Sequence, residues 1–334
     1  MRHPAYQLRP YKAVDRALLI DILTRLDGYA TFSSSETDYT YYSLGGPFLE
    51  DFRLIQQRFP DIALVSIESD HHTFRRQKFH RPSKRIRLVR KSLSDFIAEM
   101  SDSGPSIFWL DYIDNTYARF DEFMKLLSQV GERSIVKVTL RAEMQDWRLN
   151  TEEKEKALSK EVADLLEKRF LEDFRIQYSN VAPTAVEPSM FRENRFPKLL
   201  QDMLQIAAEK ALPAGTGLIF QPLASTRYSD KTQMLSLVGI VCSPGDRNEI
   251  SDRLKTWRFA NLDWSDPALI SLPVLSIKER LHLDKYLPET KPDGKSLVKA
   301  LGYNVDDDRK SSVEMMAQYS ACHSHYPHFA RVMV

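Results

Sequence analysis

Two cysteines, Cys242 and Cys322, are all that 334 residues contain, which excludes a disulfide framework and leaves no thiolate cluster able to hold zinc. A reducing compartment is the expected setting. Net charge is equally spare: 47 basic against 46 acidic residues leave +1. No global field therefore steers the chain toward nucleic acid or membrane, and only local clusters can do so. No apolar run approaches membrane-spanning length, and the first sixteen residues mix Arg, Lys and Tyr without the apolar core of a signal peptide. A cytoplasmic protein with no membrane partner is expected. A Gly-x-Ser-x-Gly elbow, a P-loop, internal repeats and low-complexity tracts are also lacking, so hydrolase and kinase-type chemistry have no sequence support.

What is present is a folding pattern. The 43% hydrophobic and 28% charged content suits a globular chain with a real core. In residues 12–26, Val14, Leu18, Leu19, Ile22, Leu23 and Leu26 recur at three- and four-residue steps, which predicts an amphipathic helix lying against a sheet. Residues 39–44 read as a buried strand ended by Gly45, Gly46 and Pro47. Pro47 suits the first position of a helix that carries Phe48, Phe52, Ile55 and Phe59 on one face. Further strands are predicted at 62–67 ending at Glu68, 86–89 before a helix from Ser94, 106–110 ending at Asp111, and 134–140, where only Lys137 interrupts the apolar alternation.

Five strands separated by helices imply an α/β fold with a doubly wound, mainly parallel Rossmann-like sheet. Residues 151–174 and 196–212 read as a helical insertion. Residues 216–223 and 233–242, joined by the polar stretch 225–231, read as an antiparallel hairpin closing the same sheet. Beyond Asn248 the chain shows no clear period. The expected organisation is 1–150 for the N-terminal helix and nucleotide-binding half, 151–212 for the insertion, and 213–334 for the hairpin and a C-terminal extension of the same domain.

A strand, a glycine turn, a helix and a second strand ending in an acid are the parts that bring backbone N–H groups to a nucleotide and a carboxylate to its ribose. Here they are Gly45, Gly46 and Glu68. Asp111 and Tyr112 follow the apolar run 107–110 at a strand's carboxyl end, where open α/β sheets hold ligands, and an acid there can orient a hydroxyl or act as base. Asp114 and Asn115 could add hard oxygens for magnesium, yet loops are rich in both residues, and no metal is assigned. His71, His72 and His80 lack the spacing of a helical metal pair and suit surface or capping roles. From Arg75 to Lys91 run nine Arg or Lys residues and no acid, with Phe79 and His80 interleaved. That segment could meet the phosphates of a nucleic acid or simply form a solvated face. Arg9, Lys12 and Arg16 could cover a cofactor pocket or be ordinary helix-surface charge.

With its glycine turn, strand-terminal acids and closing hairpin, the chain resembles class I S-adenosylmethionine-dependent methyltransferases. The stretches YQLRPYKAVDR, YYSLGGPFLEDFRLI, SIESD, RQKFHRP, IFWLDY and IVKVTLRAE resemble more closely a bacterial group described as O-methyltransferases. The resemblance implies S-adenosylmethionine as cofactor, with Gly45 and Gly46 at its methionine moiety, Glu68 at the ribose, Ser92 and Leu93 beside the adenine, and Asp111 with Tyr112 at the acceptor. Two positions depart from the usual pattern: the loop is LGGP rather than three spaced glycines, and Ser92 stands where Asp is frequent. The methyl acceptor stays open among a small molecule, a protein side chain and a nucleic acid base. The alternatives are a non-catalytic Rossmann-like module that senses a nucleotide or assembles with a protein partner or second copy, and a nucleic-acid-modifying methyltransferase.

Overall fold

Alternation along each strand decides which helix each strand residue meets. The strands of the computed structural model are β1 (Thr40–Ser43), β2 (Ala63–Ile67), β3 (Ile86–Val89), β4 (Ser106–Asp111), β5 (Ile135–Arg141), β6 (Ile219–Ser229), β7 (Gln233–Cys242) and β8 (Ala268–Leu269). The structure describes residues 9–100, 104–143, 160–287 and 293–326. All eight strands form one sheet in the order β3-β2-β1-β4-β5-β7-β6-β8. Strands β1 to β5 are parallel, β7 runs antiparallel to both β5 and β6, and β8 adds two residues parallel to β6. Five parallel strands closed by an antiparallel hairpin is the class I methyltransferase arrangement. Chain order reverses between β1 and β4, so the crevice beyond their carboxyl ends is the sheet's topological switch point.

One face of the sheet, carrying Tyr41, Leu64, Ile107, Trp109 and Ile135, is covered by α1 (Pro10–Leu26), α2 (Glu50–Arg58) and α8 (Arg247–Leu254). The other, carrying Tyr42, Val65, Phe108, Leu110 and Val136, is covered by α4 (Leu93–Glu99), α5 (Tyr117–Leu127) and α7 (Phe196–Ala211). Helix α3 (His71–His80) links β2 to β3, and α6 (Lys160–Gln177) precedes α7. Three further helices, α9 (Ile277–Leu283), α10 (Gly294–Leu301) and α11 (Arg309–Cys322), pack around Leu283, Leu297, Met316 and Tyr319 as a satellite core.

Several sequence expectations shift. Helix α2 starts at Glu50 rather than Pro47, because Leu49 holds a left-handed conformation that cannot propagate a helix. The polar stretch 225–231 is largely strand: Ser225 and Thr226 are buried against neighbours, so tertiary contact overrides their turn preference. The aperiodic tail contains α8 to α11, helices of 7 to 14 residues whose packing faces are too short to register as a period. Of the predicted helix 151–174, residues 151–159 lie outside the described residues.

Helix α1 also breaks the rule that charge faces water. Lys12, Asp15 and Arg16 are all buried. Lys137, the interruption in β5, reaches Asp15 Oδ1 at 2.7 Å, donates to the Asp15 backbone oxygen at 2.9 Å, and sits 4.2 Å from the centre of the Trp109 ring. Tyr228 of β6 donates to the other carboxylate oxygen at 3.5 Å. Burial pulls the Lys137 ammonium down to about 8 although Asp15 attracts its charged form. Burial also works to raise the Asp15 carboxyl, but attraction to Lys137 and Lys12 outweighs it and holds the group below its ordinary 3.8. The pair is therefore ionised at neutral pH.

Removing one partner strands the other as an uncompensated buried charge, so Lys137→Ala should lower stability in urea unfolding by about 3–5 kcal/mol. The double replacement Asp15→Leu with Lys137→Met should cost less than either single change. A lowered carboxyl contributes stability that is present above 3.8 and lost as pH falls through its folded value. The wild type should accordingly lose more stability than the double variant on acidification below pH 3.8.

Candidate functional site

At the switch point lies a small open pocket, lined by Ser43, Gly45, Gly46, Pro47 and Phe48 after β1, Glu50 and Asp51 of α2, Trp109 and Asp111 of β4, and Arg16 of α1. Charges of both signs meet in it. Arg16 Nη1 stands 2.8 Å from Glu50 Oε2, Lys12 Nζ stands 2.5 Å from Asp111 Oδ1, and the Tyr41 hydroxyl donates to Asp51 Oδ2 at 2.7 Å. Helix α1 thus contributes Arg16 to the pocket lining and pairs Lys12 with one of the pocket's acids. Neither Lys12 nor Arg16 is an ordinary surface charge, since both are buried.

The glycine turn is shaped by sterics. Gly45 and Gly46 have φ of +67° and +51°, and Leu49 has +54°, so three residues within five adopt a conformation that costs a residue with a side chain roughly 1–3 kcal/mol. A Cβ on Gly45 would come within 2.6 Å of Leu49 Cδ2 and 2.7 Å of Phe52 Cε2, whereas one on Gly46 would meet nothing within 4 Å. Gly45 is therefore locked against its own helix, while Gly46 faces open space. The turn is tied down from α3 by Gln77, a fully buried side chain whose Nε2 donates to the Leu44 and Gly46 carbonyls, both at 2.9 Å. Ser66 of β2 donates to Gln77 Oε1 at 3.1 Å, with the Leu44 carbonyl an alternative acceptor for the same hydroxyl at 3.5 Å.

The other residues singled out by sequence fall along the same edge. Because the sheet runs β3-β2-β1-β4, the carboxyl ends present in succession Ser92 and Leu93, Glu68, the glycine turn and Asp111. Glu68 is half-buried; its backbone N–H donates to Val89 at 3.0 Å and its Oε1 accepts from the Asp70 N–H at 2.7 Å. Burial raises its carboxyl, with the Asp70 charge adding to the effect. Ser92 caps α4 by accepting from the Asp95 N–H at 3.1 Å, and Leu93 packs against the core of the second face.

Tyr112 does not join the pocket. Side chains alternate across a strand, so Asp111 shares the α1 face with Trp109 while Tyr112 is buried in the opposite core, under the Arg119 guanidinium at 4.9 Å. Burial and the neighbouring Glu122 push its phenol well above 10, which leaves it neutral and unsuited to act as a base. Asp114 is held by Arg119 at 3.0 Å, and Asn115 Nδ2 donates to the Arg141 and Glu143 carbonyls at 2.9 and 3.3 Å, so both side chains are engaged in structural roles. His71 and His72 are exposed, and His80 is partly exposed. Sequence reasoning missed Trp109, Glu50, Asp51 and Gln77. Two-residue spacing from Asp111 could have found Trp109; Gln77 carries no local signal.

The contrast between the two glycines is measurable. Gly45→Ala adds a collision to the backbone strain and should lower stability by about 3 kcal/mol or more, whereas Gly46→Ala bears strain alone, about 1–2 kcal/mol. Comparison of their urea midpoints checks both values, and equal losses would overturn the account of the turn.

A family model described as putative O-methyltransferase matches residues 4–334. No curated protein matches the chain in sequence. Among solved structures, similar folds include a putative O-methyltransferase from Klebsiella pneumoniae, at 10% identity and TM-score 0.38 over 72% of this chain and 84% of that one. An O-methyltransferase family protein from Burkholderia thailandensis aligns at 16% identity and TM-score 0.32 over 69% and 60% of the two chains. The plantazolicin methyltransferase BamL, solved with S-adenosylhomocysteine, aligns at 13% identity and TM-score 0.30 over 71% and 91%. No helix among the described residues is long and apolar enough to cross a membrane. The family match spans nearly the whole chain, so this protein belongs to the putative O-methyltransferase family and has the fold of the class I S-adenosylmethionine-dependent methyltransferases.

Proposed function

We propose that this chain is a cytoplasmic, bacterial-type O-methyltransferase that holds S-adenosylmethionine along the carboxyl ends of β1, β2 and β3 and presents its acceptor beside Asp111. The observation that carries the reading is the pocket at the switch point, which combines a strained glycine turn with paired charges of both signs. A cytoplasmic setting is supported by two buried, unpaired cysteines.

The residues present fit the cofactor. Open space beside Gly46 leaves room for close approach of a ligand to the backbone. Arg16 can take the carboxylate of an amino-acid moiety and Glu50 its ammonium, each exchanging the other for a ligand group. Glu68 on the next strand offers a carboxylate to ribose hydroxyls, with Ser92 and Leu93 beyond it for the adenine. When bound, S-adenosylmethionine supplies an electrophilic methyl group. This chain's part is to align the acceptor and take its proton. Asp111, fixed by Lys12, accepts a hydrogen bond from the acceptor hydroxyl, and α1 excludes water from above.

Calorimetry should detect S-adenosylmethionine and its demethylated product binding to the wild type. Arg16→Gln and Glu68→Ala should each weaken binding by about tenfold or more through loss of a charge-assisted hydrogen bond, with the folded state of Glu68→Ala unchanged. If neither ligand binds correctly folded wild type, the enzyme reading fails and that of a non-catalytic module replaces it.

A further inference from the structure

We propose that the face formed by α3 and β3 docks a single-stranded nucleic acid and leads it to the mouth of the pocket. Seven of the nine basic residues between Arg75 and Lys91 are exposed, and among the described residues Arg75, Lys78 and Arg87 form no ion pair with a carboxylate. Protection of the sheet edge, where β3 lies, accounts for charge at Arg85 and Arg87. It does not account for the charge on α3, nor for Phe79, an aromatic side chain 85% exposed in the middle of that charge.

Phe79 begins a track. Its ring meets His80 edge-on at 5.1 Å, His80 lies 4.8 Å from Phe48, and the Arg76 guanidinium covers Phe48 at 4.9 Å. Phe48 lines the pocket. Cations that follow a phosphate backbone, interleaved with rings on which unstacked bases can lie, are the combination that recognises single strands. A duplex keeps its bases stacked and gives such rings nothing to hold, and an acidic protein would use the charges but not the track. As a nucleic-acid surface the face stands alone; as an acceptor surface it rests on the methyltransferase reading.

Fluorescence anisotropy with a labelled oligouridylate of about 20 nucleotides, titrated over a range of salt, tests the proposal. Wild type should bind, with affinity falling steeply as salt rises. Arg75→Gln, Lys78→Gln and Arg87→Gln combined should make the salt slope shallower by about 2, near 0.7 for each phosphate that is no longer neutralised. Phe79→Ala should weaken binding about tenfold with the slope retained. No binding at low salt, a slope unmoved by the triple change, equal affinity for a duplex of the same length, or stronger competition by polyglutamate would each overturn it. S-adenosylhomocysteine binding by the same variants, measured in parallel, should stay at the wild-type level. Failure of the wild type to bind the oligonucleotide while it still binds that ligand removes this proposal alone, whereas failure of the wild type to bind that ligand removes the enzyme reading and leaves the docking surface standing.

Discussion

The ion pair between Asp15 and Lys137 sets the geometry on which the pocket depends. Two opposite charges lie almost wholly out of water between a helix and the middle of a sheet, where each is tolerable only in the presence of the other. Apolar contacts from Val14, Leu18 and Ile22 would hold α1 on the sheet in more than one register, because burial is not directional. The charge pair specifies one. It places Lys12 over Asp111 and Arg16 over Glu50, so the same helix that completes the core also completes the site. Trp109 lies between these roles, its ring 4.2 Å from Lys137 and 4.7 Å from Lys12 while its Nε1 donates to Thr139.

A site built this way presents ion pairs to an incoming ligand rather than unpaired charges. Each pocket cation already has a carboxylate, and each exchange with a ligand group replaces one charge-assisted contact with another. Selectivity then favours ligands that carry both signs close together, since a ligand of one sign would leave Glu50 or Arg16 unmatched in a partly dry pocket. The glycine turn adds a second constraint. Gln77 holds its carbonyls and is itself held by Ser66, and this fixed support lets a strained backbone persist at the pocket wall.

The order of elements is legible along the chain itself: five parallel strands, the turn at Gly45 and Gly46, the acids Glu68 and Asp111, and the closing hairpin all follow from local periodicity and turn chemistry. Tyr112 shows where local reading goes astray. Adjacent residues at the end of a strand point to opposite faces, and the alternation already visible in residues 107–110 separates it from Asp111. Leu49 shows another limit, since a left-handed leucine goes against local propensity and is held here with its side chain fully buried against the glycine turn.

What the sequence determined by itself was the fold and the edge of the sheet on which the pocket opens, because hydrophobic period and glycine placement act over a few residues and need no partner. What only the tertiary structure decided was the meaning of the charges. Along the chain Lys12 and Arg16 stay open between pocket cover and surface charge, Lys137 reads as an interruption and Asp15 carries no signal, since 122 residues separate Asp15 from Lys137 and no local rule links them. Gln77 is silent for the same reason: its partners Leu44 and Gly46 lie 33 and 31 residues away. Buried polar groups obtain their function from what folding brings opposite them, and that pairing is a property of the packed chain alone.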